Sequence, residues 1–433
     1  MRKIKIDEVI SPVTNIVTDS PLDQTQSTVV CNKSEKDWKD LEPPIDDKPG
    51  VWDNFLGFFN LAGHKESEEH REKRLIAEKD DKNNLLEKTV CEAGLLDALK
   101  NRTLKLNKNP ANLKIVIKPN FMFLYNKDDH STYTDPELVI KLVDILYNEG
   151  YRDITVVEAQ STYGNYFTNR EVLTVMDYIG LKSDGKFKMK DLTDESDWSE
   201  PEIPFTGPLK TTEKLGSTPV PKVWKDADFR ISFAKNKTHL YCYYTLTIKC
   251  IYGALAKQNK FYEYHCNRGI YGSTIEYIEH YPIHFGIIDA YISADGPLGI
   301  FANKVPNYTR TILAGENIIA VDWIGALKMK YSNPMINKYM KEAIDKFGKP
   351  SIIIKGNAKD SVYVPWIKAS QPSMFIMNNI VDKCYPIGNV YTGSMLSVDE
   401  NIFKLKVKWY VKILRFFTAI MRGFVFIPTK KQK

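Results

Sequence analysis

Apolar and polar positions along this chain change period repeatedly, and the changes mark out strands alternating with helices. An apolar run at 113–117 reads as a strand, 137–148 as a helix closed by Gly150, and 154–157 as a second strand that delivers Glu158 at its end. The alternation continues with a helix over 170–179, a strand over 187–191, a buried strand over 229–233, a polar loop over 234–239 and a helical segment from about 246. Helix 272–279, strand 285–292 carrying Asp289, strand 311–314, helix 317–331, helix 334–347 and strand 351–354 complete the series. Strand, helix and strand in succession imply right-handed βαβ units. The expected fold is therefore α/β and Rossmann-like, a mostly parallel sheet with helices on both faces.

On either side of this core, taken as 85–395, the pattern is less regular. Residues 1–84 hold a strand at 27–31, a charged run with prolines at 33–49, an apolar stretch at 51–63 and a highly charged run at 64–82, read together as an N-terminal strand and a charged insertion. Val51, Trp52, Phe55, Phe58, Phe59 and Leu61 fit a small amphipathic helix that docks on the body, a partner or a membrane. Helical spacing then runs through Leu85, Leu86, Val90, Leu95, Leu96 and Leu99. Residues 195–218, rich in Pro, Ser and Thr, read as an exposed excursion.

The tail, 396–433, alternates apolar residues with lysine over 403–409 and changes to helical spacing over 408–424. Trp409, Ile413, Phe416, Phe417, Ile420 and Phe424 line one face, and Lys408, Lys412, Arg415, Ala419 and Arg422 the other. Charges within the apolar run make it a poor transmembrane span. A basic amphipathic helix with bulky aromatics is an interfacial membrane anchor, a partner-binding helix, or a terminal helix packed on its own domain.

Composition narrows the class. With 433 residues, 43% hydrophobic and 26% charged, the chain can bury a full core. The net charge of +6 is unevenly placed: nine Lys and Arg and no acidic residue follow Glu400, leaving 51 basic against 54 acidic groups before it. That distribution argues against a nucleic-acid surface spread over the body. Cys31, Cys91, Cys242, Cys250, Cys266 and Cys384 show neither CxxC nor zinc spacing, and MRKIKIDEVI has no apolar h-region. A cytosolic protein with reduced cysteines is expected, with peripheral attachment to the inner face of a membrane through 401–433 as the alternative.

Candidate chemistry concentrates between Asp228 and His265. The loop at 234–239 holds Lys235, Lys237 and His239, and the following helical segment adds Lys249 before closing on Gly253 and Ala254. Ligands of open α/β sheets sit outside the carboxyl ends of strands, so this loop is where binding chemistry belongs. Lysines gathered there point to a small anionic ligand; singly, Lys235 and Lys237 also read as solvated charges and His239 as a structural histidine. Lys118-Pro119-Asn120 ends the strand at 113–117, and Thr134-Asp135-Pro136 opens a helix, where capping alone would explain Asp135. Asp322 falls near the start of helix 317–331, where it suits the helix dipole. Asp295-Gly296-Pro297-Leu298-Gly299 is a glycine-rich turn, but no phosphate loop or dinucleotide fingerprint follows a strand, so no nucleotide cofactor is indicated.

Taken in order, Lys118-Pro119-Asn120, Thr134-Asp135-Pro136, Lys237-Thr238-His239, Lys249 with Gly253, and Leu313-Ala314-Gly315 followed by Ala320-Val321-Asp322 resemble the domain of unknown function 362 family over roughly residues 85–357. The resemblance implies an α/β protein of unsettled activity. Some members of that family are fused to iron–sulfur ferredoxin modules; this chain shows no such module, and no iron–sulfur cluster is expected.

Two mechanisms fit the residues. In one, Lys118, Asn120, Asp135, Lys235, Lys249 and His265 bind a phosphate or carboxylate while His239, Glu158 or Lys237 handles the proton. In the other, His239 and His265, with a carboxylate from Glu158, Asp289 or Asp322, hold a divalent metal that polarises the substrate. The first is preferred because lysines outnumber histidines in these motifs. A non-enzymatic reading stays open, in which the body binds an anion or lipid headgroup and the tail holds the bilayer. Cys242 and Cys250 read as core.

Overall fold

The computed structural model describes residues 26–41, 67–122, 127, 129–193, 198–204, 217–296, 306–369, 371–376, 378–379, 401–404, 406, 409–410, 412–414 and 416. The expected amphipathic helix at 51–61 and most of the glycine-rich turn and the tail lie outside them.

The strands are β1 (Gln26–Lys33), β2 (Ile115–Pro119), β3 (Ile154–Glu158), β4 (Lys188–Asp191), β5 (Trp198–Pro204), β6 (Ser217–Pro221), β7 (Phe229–His239), β8 (Tyr243–Thr245), β9 (Phe285–Ala294), β10 (Thr311–Gly315) and β11 (Ser351–Lys355). One sheet takes the order β11-β1-β10-β9-β7-β2-β3-β4, with β8 paired to β7; β5 and β6 form a separate antiparallel pair. Strands β9, β7, β2, β3 and β4 are mutually parallel, and β11 is parallel to β1. The sheet is mostly parallel as expected, with β10 running against both β9 and β1.

Side-chain alternation shows that both faces are covered. Ile115 and Ile117 pack with Leu138, Leu142 and Leu86 on one face, while Val116 packs with Ile248, Ile251 and Ile278 on the other. Parallel strands covered on both sides have no solvated face, which is why they read as continuous apolar runs.

Three local expectations are corrected. The strand expected to stop at Phe233 continues to His239, and the stretch read as a polar loop is buried throughout. Partners across the sheet explain this: Lys235 aligns with Asp289 and Lys237 with Ala294 of β9, while Lys237 and His239 pair with Thr245 and Tyr243 of β8. Strand β2 runs to Pro119, two residues past the expected end at 117, and stops there as the Lys118-Pro119-Asn120 turn implies. The charged run at 64–82 opens a helix, Glu68–Glu92, capped by the Ser67 side chain accepting from the His70 backbone N–H.

That helix crosses residue 84, and β1 is an interior strand, so among the described residues of the expected N-terminal unit both the strand and this helix belong to the main body. Its buried side includes Arg74, Glu78 and Lys82 beside Leu85, Leu86 and Val90. Glu78 pairs with Arg74 at 3.1 Å and with Arg310 at 2.8 Å, so these charges enter the interior already matched. Gly94, at φ 82°, then separates it from the Leu95–Lys105 helix.

Near the C-terminus, Phe403 is fully buried, its ring 5.3 Å from that of Tyr178 and 4.9 Å from the Arg170 guanidinium. The backbone of Lys404 and Lys406 bonds to that of Thr168 and Tyr166. Beyond this point, residues 409, 410, 412–414 and 416 are helical. Among the described residues no helix is long and apolar enough to cross a membrane.

Candidate functional site

Strands β3 and β4 follow β2 on one side of it, whereas β7 and β9 lie on the other. The chain therefore changes direction across the sheet between β2 and β7, which is where open α/β sheets leave a crevice at their carboxyl ends. A cleft of about 90 Å³ opens there. It is lined by Lys118 and Asn120 after β2, Glu158 and Ser161 after β3, His239 at the end of β7, and Lys249, Lys260 and His265 from the segment beyond β8.

Lys118 and Glu158 form its floor. Their side chains meet at 2.6 Å, and the Lys118 ammonium also donates to the Pro119 carbonyl at 2.7 Å. Glu158 accepts the backbone N–H groups of Phe121 and Ala159 at 3.0 and 3.1 Å. Gly253 closes over the pair. A Cβ there would stand 2.7 Å from Lys118 Nζ and 2.9 Å from Glu158 Oε1, so only glycine lets the backbone approach without displacing the ion pair.

Lys237 stands behind Asn120, donating to its side-chain oxygen at 2.8 Å and to the Thr132 carbonyl at 2.5 Å. Burial, followed by the neighbouring Lys249, holds its ammonium well below the ordinary lysine range. His239 is also buried, and with Lys249, Lys237 and His265 nearby its protonation falls well below the ordinary histidine range. The ring is neutral near pH 7. Its Nδ1 accepts the Tyr241 N–H at 3.0 Å, which places the remaining proton on Nε2. His239 is thus equipped to donate a hydrogen bond rather than to serve as a strong base.

Burial also lowers Lys249, whose ammonium lies 5.6 Å from the Tyr252 ring centroid. Lys260 departs most usefully from the ordinary value. Burial brings its ammonium down to about 7 against the opposing pull of Glu158, and its head group donates to the Leu255 carbonyl. A lysine that titrates near neutrality can take up or release a proton at working pH. His265 sits in a π-helix, Phe261–Arg268, stacked on Phe261 at 5.1 Å and edge-on to Tyr241 at 4.8 Å. Ser161 Oγ, on the cleft wall, is buried without a hydrogen-bond partner.

Of the residues expected from sequence, Lys118, Asn120, Glu158, His239, Lys249 and His265 are brought together, with Lys237 just behind. Asp135, Lys235 and Asp289 go elsewhere. Asp135 caps the Pro136–Asn148 helix and pairs with Lys82 at 2.5 Å and His130 at 3.2 Å. Lys235 pairs with Asp289 at 2.8 Å, and Asp289 also accepts the Asp135 N–H. Against burial, Lys82 and His130 hold the Asp135 carboxyl well below the usual carboxylate range.

Asp322 occupies a third place, accepting from Thr247 N, Thr247 Oγ1 and Ile248 N at 2.7, 2.5 and 2.9 Å. It anchors the start of the short helix, Thr247–Ile251, that carries Lys249, and burial pushes its carboxyl up to about 7. Of the carboxylates in the metal reading, Asp289 and Asp322 thus lie apart while Glu158 shares the cleft with His239 and His265; among the described residues, no three His, Cys, Asp or Glu side chains are grouped to hold an ion.

Sequence reasoning missed Lys260 and Ser161. Ser161 lies three residues beyond the end of β3, within reach of the strand-end rule that found Glu158. Lys260 carries no such signal, because it depends on how the chain folds back after Gly253. Cys250, read as core, does reach the cleft wall. It donates weakly to the Lys118 and Pro119 carbonyls at 3.5 Å, and burial raises its thiol, keeping it protonated.

Residues 115–327 match the family model described as Domain of unknown function (DUF362). These residues belong to the DUF362 family. The matched span is narrower than the 85–357 suggested by the motifs, yet it contains every cleft residue named above. Among solved structures, the chain is similar to the lactate racemase apoprotein from Thermoanaerobacterium thermosaccharolyticum at 13% identity and a TM-score of 0.30, over 47% of this chain and 46% of that one. No curated protein matches.

Proposed function

We propose that the cleft binds a small molecule bearing a phosphate or carboxylate and moves a proton on it. The observation that carries this reading is the charge of the lining: three lysines, Lys118, Lys249 and Lys260, face one carboxylate, Glu158. Glu158 is already committed to Lys118 and two backbone N–H groups. An anion would relieve the mutual repulsion of the remaining ammonium groups, and Ser161 Oγ would gain a partner.

Within that site the roles differ. Lys249 supplies positive charge, while Lys260 exchanges the proton. Neutral His239 donates through Nε2 to an oxygen on which negative charge develops, as a neutral imidazole can.

Two measurements test this. Titration with inorganic phosphate should show binding that weakens as pH rises from about 6 to 9 and is accompanied by proton uptake, because an anion raises the affinity of nearby amines for protons. Lys249→Met should weaken binding at least about tenfold, the loss expected for one charge-assisted contact. Deuterium wash-in from D2O should then be followed with dihydroxyacetone phosphate and pyruvate, which pair an anionic group with an acidic C–H. Exchange lost in Lys260→Met supports the proton-transfer role. Phosphate binding unchanged by either substitution would sink the anion site.

A further inference from the structure

The tail presents a surface that the cleft does not use. It is fastened to the body as far as Lys406, with Phe403 fully buried. The helical residues that follow face outward: Trp409 is 72% exposed, Phe416 50%, Ile413 46%, Tyr410 42% and Leu414 40%. A helix packed on its own domain would bury that side, as Lys338–Phe347 buries Tyr339, Met340 and Ala343. Five exposed large apolar side chains within eight residues have the composition of an interface.

Charge identifies what it meets. At helical spacing Trp409, Tyr410, Ile413, Leu414 and Phe416 occupy one broad arc, and Lys408, Lys412 and Arg415 fall opposite it. Outside the described residues, the sequence repeats the same spacing of apolar and basic positions with Ile420, Met421, Arg422 and Phe424. Nine basic and no acidic residues follow Glu400. Apolar side chains flanked by cations, with tryptophan and tyrosine at the start, match a lipid surface: rings and aliphatics enter the headgroup boundary while lysine and arginine contact anionic headgroups.

We propose that the exposed helical residues Trp409, Tyr410, Ile413, Leu414 and Phe416, with the basic residues interspersed among them in the sequence, anchor this protein on an anionic bilayer surface. The helix lies in the plane of the surface rather than across it, since its basic arc cannot enter hydrocarbon. The attachment point gives the anchor a position relative to the cleft. Lys404 and Lys406 are hydrogen-bonded through their backbones to Thr168 and Tyr166, in the segment that begins with the cleft residues Ser161, Thr162 and Tyr163. The anchor is thus seated on a neighbour of the cleft wall.

The test is sedimentation of the full-length chain with vesicles of phosphatidylcholine alone or mixed with phosphatidylserine. Binding is expected only with phosphatidylserine and is expected to fall as salt rises. Trp409→Ala/Ile413→Ala/Phe416→Ala and Lys412→Glu/Arg415→Glu should each weaken it by about tenfold or more. Both variants should keep the wild-type melting temperature, because Trp409, Lys412, Ile413 and Phe416 are exposed. Absence of binding, equal binding to both vesicles, or binding indifferent to both variants would overturn the proposal. So would a concentration-dependent dimer abolished by the triple substitution without vesicle binding, which would assign the face to a second copy of the chain.

Discussion

Lys118 Nζ stands 2.6 Å from Glu158 Oε1, joining the ends of adjacent strands β2 and β3 inside the cleft. A buried pair of this kind is held by its surroundings as much as by its own attraction, because desolvation offsets much of the Coulomb gain. Here the surroundings are the Pro119 carbonyl, two backbone N–H groups and the backbone of Gly253.

Gly253→Ala tests that arrangement. The new methyl would contact the flexible end of Lys118, so the chain should fold with its melting temperature lowered by only a few degrees. Phosphate affinity should nonetheless drop about tenfold as the ammonium is pushed from its place. Unchanged phosphate binding would show that the close approach of Gly253 is not part of the site.

Lys260 predicts a pH dependence of stability. Its folded-state value of about 7 lies below the ordinary 10.5. Between these values the unfolded chain binds more protons than the folded one, so this group's contribution rises with pH through that window and is lost as pH falls through about 7. Lys237 and Lys249, also lowered, act in the same direction. Urea midpoints measured across the window should rise with pH, and Lys260→Met should flatten the slope. An equal slope in the variant would refute the assignment.

Lys82 and Asp135 give a third test, away from the cleft. They meet at 2.5 Å with both side chains buried. Lys82→Met should destabilise by about 3–5 kcal/mol because Asp135 is left charged in the interior. The double variant Lys82→Met/Asp135→Asn should be more stable than the sum of the single losses predicts, which a urea-unfolding cycle measures directly. Because Asp135 is held below its ordinary value, its contribution should be retained at neutral pH and lost as pH falls through the acid range.

Much of the cleft was legible before the structure. Lys118, Glu158 and His239 come at or beside strand ends, and the rule that ligands gather at the carboxyl edge of a parallel sheet singles them out. Lys235 obeys the same sequence logic yet is spent on Asp289, because β9 happens to lie beside β7 at that register. The charged first half of the Glu68–Glu92 helix reads as an insertion for a related reason. Arg74, Glu78 and Lys82 look like solvated charges until Arg310 and Asp135, far along the chain, are placed against them.

The sequence by itself determined what is local: strand and helix periods, the Asp135 cap, the turn after β2 and the basic aromatic tail. These follow from side-chain alternation and backbone preferences over a few residues. Only the tertiary structure decided which charges meet, because strand order and register bring together groups separated by seventy residues or more. That is why Lys237 reaches Asn120 and Asp322 secures the helix of Lys249. Lys260 likewise acquires its proton affinity from the buried wall around it, an environment that no short stretch of chain encodes.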